Sequence, residues 1–121
     1  MMDFSIHVVE ARNLINTGTI RTSDPFCRLL VGNEKRETKT VTNTTSPRWD
    51  ETFSFRSIPG TSRLSVEVLD KNLISSNEIM GRFDIDLTKL KDSPKSWWPL
   101  YGQGGQCSQG EIYIDCNFVS N

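Results

Sequence analysis

Oxygen donors crowd the stretch from Asp70 to Gly81, DKNLISSNEIMG. Asp70 offers a carboxylate, Asn72 an amide oxygen and Glu78 a second carboxylate, with Ser75 and Asn77 between them and no lysine or arginine after Lys71. Oxygen-only sets of this kind suit hard cations such as Ca²⁺, which take carboxylates, carbonyls and water. The same stretch carries Leu73 and Ile74 at its middle, where a solvated turn ordinarily places Gly, Asn or Ser. Aliphatic side chains at an exposed tip favour a nonaqueous partner. A cation site beside an oily tip points to a module that docks on a lipid surface.

Elements that could hold such a loop are legible on both sides of it. Leu64, Val66 and Val68 alternate with Ser65 and Glu67, so Asp70 stands where a half-buried strand gives out. Phe4, Ile6 and Val8 alternate with Ser5, His7 and Val9 in a first strand that ends by Leu14, and His7 faces solvent. NTGTIRTS, residues 16–23, favours a loop, and Pro25 pushes Asp24 out of the α region and restarts the chain as a strand over Phe26 to Val31. After the turn Gly32-Asn33-Glu34, a threonine-rich third strand covers Lys35 to Val41 and NTTSP turns it. Trp49 to Phe55 makes a fourth strand, Met80 to Leu87 a sixth and Trp97 to Tyr101 a seventh. A helical turn in LTKLKDS precedes the seventh, the loose connection GQGGQCSQG follows it, and Ile112, Ile114, Cys116 and Phe118 mark an eighth.

Eight short strands with turn signals between them predict an all-β, antiparallel, Greek-key sandwich. Alternating strand directions would bring the loops at 14–23, 43–48, 71–79 and 102–110 to one pole. Trp49 and Pro47 are core and turn residues, as are Trp97 and Trp98 in part, since large aromatics dominate burial in a small sandwich.

Composition narrows the classes. A chain of 121 residues is one domain's worth. With 14 basic and 15 acidic residues the net charge is -1, so phosphate binding would need local clustering, and a nucleic-acid partner is not expected. Cys27, Cys107 and Cys116 are odd in number and lack C-x-x-C spacing, which encodes neither a disulfide framework nor a zinc site and favours a reducing compartment. The N-terminus MMDFSIHVVEARNL is unlike a signal peptide, and no apolar run is long enough to span a bilayer. The expectation is a soluble, cytoplasmic monomer that meets membranes peripherally, or a soluble piece of something larger. No nucleophile elbow, P-loop or H-E-x-x-H motif is present, and an enzyme is the weakest reading.

Several stretches together resemble the C2 domain, the membrane-targeting module of protein kinases C, synaptotagmins and phospholipases. They are LINTGTIRTSDPF, TNTTSPRWDETFSF, LSVEVLDKN followed by NEIMGRF, and Trp97-Trp98-Pro99-Leu100, in that order along nearly the whole chain. GEIYIDCNF at the C-terminus resembles the strand that would pair with the first, as in the circularly permuted type II topology. The resemblance implies an eight-stranded sandwich binding Ca²⁺ and anionic phospholipid through loops at one end, in signalling or membrane trafficking. Carried over position by position, Asp24 matches the second aspartate of the first loop and Asp70 the first of the third. Asn72 stands where another aspartate is usual, Ser75 at an occasional hydroxyl ligand, and Glu78 for the last aspartate. Gly18 falls on the remaining aspartate and has no side-chain oxygen. Three carboxylates of the usual five imply weak or partly lost Ca²⁺ dependence, with one ion expected more readily than two.

Ile20, at the first loop's tip, joins Leu73 and Ile74 as candidates for membrane insertion. Arg28, Lys35 and Lys39 would share a sheet face if the chain pairs as a hairpin across GNEK, resembling the basic patch by which some C2 domains bind phosphoinositide headgroups. Glu37 between the lysines makes a solvated, mixed-charge face the simpler reading. The competing function is a Ca²⁺-independent protein-interaction module on the same scaffold, with a polypeptide engaging a sheet face or edge.

Overall fold

The computed structural model describes residues 2–15, 23–56, 63–71, 79–102 and 107–120. Period-two alternation builds eight antiparallel strands among them: β1 (Met2–Arg12), β2 (Pro25–Val31), β3 (Glu34–Glu37), β4 (Arg48–Phe55), β5 (Arg63–Asp70), β6 (Ile79–Asp86), β7 (Lys95–Tyr101) and β8 (Cys107–Ser120). One short helix, α1 (Leu87–Asp92), joins β6 to β7; Asp86 caps it by accepting the Thr88 N–H. The ladder order is β3-β2-β5-β6-β7-β8-β1-β4. The sheet closes over one core: Phe4, Ile6, Ile112, Ile114 and Phe55 meet Leu29, Val66, Val68, Phe83 and Ile85 in a single apolar cluster. The first and last strands pair along most of their length, from Met2↔Ser120 to Arg12↔Glu111.

β3 and β4 end the ladder order; Arg36 Nη2 ties them across the opening by donating to the Ser54 carbonyl at 3.4 Å, and just past β3 the Lys39 N–H donates to Glu51 Oε2 of β4 at 2.8 Å. Such bridges occupy edge groups that would otherwise be a template for another chain.

Tertiary contacts revise several expectations. The third strand stops at Glu37, because the Thr38 hydroxyl takes the Cys27 N–H at 2.9 Å and interrupts the ladder; Lys39 and Val41 lie beyond it. β7 starts two residues early, at Lys95, where pairing with Asp115 extends it, and the end of GQGGQCSQG joins β8 from Cys107. Val9 does not continue the polar face of β1: the register against both neighbours shifts between Val8 and Glu10, and this bulge turns Val9 inward to 8% exposure. His7 is not merely solvated, for its Nε2 lies 2.6 Å from Asp50 Oδ1.

Gly81 shows how tightly β6 meets β7. A Cβ there would stand 2.8 Å from the Leu100 Cβ, and Leu100 is fully buried. Gly81→Ala is expected to cost about 1–3 kcal/mol by overpacking, read as a lower urea midpoint; an unchanged midpoint would contradict this packing.

Candidate functional site

Pro25 keeps Asp24 extended at the mouth of β2, and Asp70 closes β5 directly opposite, since the register pairs Pro25 with Asp70. The two aspartates, 46 residues apart in sequence, are joined by a hydrogen bond from the Asp24 N–H to Asp70 Oδ1 at 3.1 Å. Both are buried, at 6% and 2% exposure. The Lys71 N–H donates to the Asp24 carbonyl at 2.9 Å, completing a closed link between the two strand ends.

A third segment braces this pair. The Asn43 N–H donates to Asp24 Oδ1 at 2.6 Å and the Thr44 N–H to the Ser23 carbonyl at 2.9 Å. Asn43 itself adopts φ 59°, a left-handed conformation that asparagine tolerates better than most residues. The Leu14 N–H reaches the Thr45 carbonyl at 3.0 Å, so the chain leaving β1 meets the same turn. Below it, Trp49 is 7% exposed and donates Nε1–H to the Pro25 carbonyl at 3.3 Å. Gly110, at φ 105°, approaches the backbone of Arg12 and Asn13 so closely that a Cβ would sit 2.8 Å from the Asn13 carbonyl oxygen. Segments at 13–15, 23–24, 43–47, 70–71 and 110 thus meet at one pole.

Two buried carboxylates on a backbone scaffold suit a hard cation, whose charge would offset their mutual repulsion. Among the described residues no three His, Cys, Asp or Glu side chains gather as a metal centre. Further donors would therefore come from the adjoining loops. Asn72 and Glu78, like Ile20, Leu73 and Ile74, lie outside the described residues. The roles of Asn43 and Trp49 had no signal in the sequence, because one acts through its backbone and the other through an indole that hydropathy assigns only to the core.

The basic residues are spread differently. Arg28 pairs with Glu37 at 2.8 Å and lies 3.6 Å from Glu67, which also lies 3.6 Å from Arg82. Arg82 continues to Asp84 at 3.1 Å. This alternating chain of charge compensates Arg28; Lys35 sits across from Leu30, and Lys39 falls past the end of β3. The Ser65 hydroxyl holds the Asp84 carboxyl below the usual carboxylate range, against the opposing effect of partial burial and with further help from Arg82 and Arg63. A lowered native pKa contributes stability above the ordinary carboxyl pKa and loses it as pH falls through the native value. Acid unfolding followed by circular dichroism is expected to begin at lower stability in Asp84→Asn and to show a shallower pH dependence below about pH 4; identical slopes would rule this out.

The Cys27 thiol is pushed up by burial, and that of Cys116 to about 12 for the same reason, so neither is poised as a nucleophile.

A β-sandwich whose last strand pairs with its first, with acidic strand ends gathered at one pole, is the architecture of a C2 domain, and the chain belongs to the C2 domain family, whose model matches residues 2–100. Among curated relatives it is 38% identical over 93 residues to RasGAP-activating-like protein 1 of Mus musculus, covering 76% of this chain and 12% of the relative. Ras GTPase-activating protein 4B of Homo sapiens is 38% identical over 96 residues, covering 77% and 12%. The chain thus spans about an eighth of these relatives' length. A solved structure described as a calcium-bound pair of C2 domains from Extended-Synaptotagmin 2 superposes with a TM-score of 0.82 at 22% identity, covering 98% of this chain and 45% of that one. At that identity the likeness concerns the fold. No helix among the described residues is long and apolar enough to cross a membrane.

Proposed function

We propose that residues 1–121 form one non-catalytic C2 module that targets the cytoplasmic face of anionic membranes, with Ca²⁺ held weakly at Asp24 and Asp70 and completed by Asn72 and Glu78. Ile20, Leu73 and Ile74 would enter the acyl region. The observation that carries this reading is the joining of Asp24 and Asp70 through one hydrogen bond, from backbone N–H to carboxylate, at the pole where the first loop ends and the third begins. Family membership supports it, because C2 domains of relatives typically serve membrane targeting. Each inserted aliphatic side chain would contribute about 1.5–3 kcal/mol, more than a single weakly held ion, so insertion is expected to dominate affinity. The reading does not depend on Arg28, Lys35 and Lys39, since Arg28 is engaged by Glu37 and Glu67.

Sedimentation with vesicles of phosphatidylcholine and phosphatidylserine tests it. Binding is expected to rise with the anionic lipid fraction, to fall with salt, and to drop at least about a hundredfold in the double variant Leu73→Asp, Ile74→Asp. Vesicle binding absent in both Ca²⁺ and chelator would overturn the proposal and leave protein recognition as the function of the scaffold.

A further inference from the structure

β6 and β7 are neighbours in the sheet, yet among the described residues they share a single pairing, Arg82↔Tyr101. Extending that register would set Asp84 against Pro99, which has no N–H to give a partner strand. The ladder stops before that point. An open cleft of about 710 Å³ lies along the rest of the two strands, within the range of about 300–1,000 Å³ common for binding sites.

Its lining identifies what it follows. Phe83, Asp84, Ile85 and Asp86 all border it; since successive side chains of a strand point to opposite faces, four in a row mark the strand's edge. Trp98 and Pro99 of β7 form another part of the wall, with the Trp98 ring stacked on Phe83 at 5.5 Å between centroids. Trp98 Nε1 is buried and has no hydrogen-bond partner among the described residues. A buried donor left unpaired is unusual in a native fold and is costly.

Charge narrows the occupant. Three carboxylates, Asp84, Asp86 and Asp92, line the cleft against two cations, Arg63 and Lys89, so its walls are net acidic. Tyr101 stands at the rim and is 40% exposed, presenting an aromatic surface to an incoming cation.

We propose that the cleft between β6 and β7 takes an extended polypeptide segment carrying lysine or arginine. The segment adds along the edge of β6 from Phe83 to Asp86, and its cationic side chain passes Tyr101 toward Asp92. Strand addition of this kind draws affinity from main-chain hydrogen bonds and selectivity from the side-chain positions between them. The cleft borders the half of β6 remote from Asp70: Ile79 pairs with Leu69 near the aspartates, and Asp86 with Arg63 at the other end. A membrane and a peptide could therefore be held together.

The probe is acetyl-Val-Lys-Val-Lys-Val-amide added to the full chain, read by amide hydrogen exchange and tryptophan fluorescence. Exchange at residues 83–86 is expected to slow at least about tenfold at saturation. The exposed Asp92→Lys is expected to weaken peptide binding severalfold without touching the core. The glutamate peptide acetyl-Val-Glu-Val-Glu-Val-amide should bind less well than the lysine peptide. Unchanged exchange at 83–86, or equal binding of the two peptides, would overturn the proposal. So would the same protection produced by phosphatidylcholine–phosphatidylserine vesicles alone, or by raising protein concentration until the chain dimerises.

Discussion

Asp70→Asn is expected to lower Ca²⁺ affinity at least about tenfold while leaving the unliganded domain nearly as stable as the parent, whereas Asp70→Ala loses both. The two substitutions separate charge from hydrogen bonding. Asparagine keeps an oxygen for the Asp24 N–H, which lies 3.1 Å from Asp70 Oδ1, but removes the negative charge that a divalent ion needs. Alanine leaves the Asp24 amide without its acceptor at a site where Asp70 is only 2% exposed; an unpaired buried donor costs about 1–3 kcal/mol. Relief of repulsion between the carboxylates acts in the opposite sense for both variants. The difference between them therefore reports what the buried Asp70 side chain contributes apart from its charge. Calorimetric Ca²⁺ titration gives the affinity, and urea unfolding in chelator gives the stability. Saturating ion at a hundred times its dissociation constant would stabilise the parent by about 2.7 kcal/mol and the asparagine variant by much less. Wild-type affinity in Asp70→Asn would remove Ca²⁺ from the proposed function.

The second large effect lies beneath the site. Trp49→Ala is expected to cost about 3–5 kcal/mol, the range for deleting a buried aromatic, because Trp49 is 7% exposed and belongs to the central apolar cluster. Its indole N–H also holds the Pro25 carbonyl at 3.3 Å, one residue from Asp24. Trp49→Phe keeps most of the burial and gives up that contact. It should cost less, about 1–2 kcal/mol, yet still weaken ion binding by loosening the Asp24 backbone. Unfolding curves and Ca²⁺ titrations on both variants check this: a phenylalanine variant with unaltered ion affinity would show that Trp49 serves the core alone.

Much of this molecule is local and therefore readable along the chain. β2 and β6 follow from alternation that places Cys27, Leu29 and Val31, then Phe83 and Ile85, against the core. Pro25 sets where β2 begins, and Asp86 and Thr88 set where α1 begins. The identity of Asp24 and Asp70 as candidate ligands is likewise a matter of residue type at a strand end. Where reading along the chain failed, a distant partner was responsible. β3 ends four residues early because the Thr38 hydroxyl, in place of its carbonyl, takes the Cys27 N–H. His7 meets Asp50, 43 residues away, and Arg28 meets Glu67 through the pairing of β2 with β5.

Sequence alone determined the strands, the family and the types of side chain offered at the acidic pole, because alternation and residue chemistry are properties of neighbours in the chain. Only the tertiary structure decided that Asp24 and Asp70 share a hydrogen bond, that Asn43 and Trp49 brace them, and that β6 parts from β7 beside the half-buried Trp98 indole. Those are outcomes of register between strands far apart in sequence, and register is fixed by the packing of the whole core.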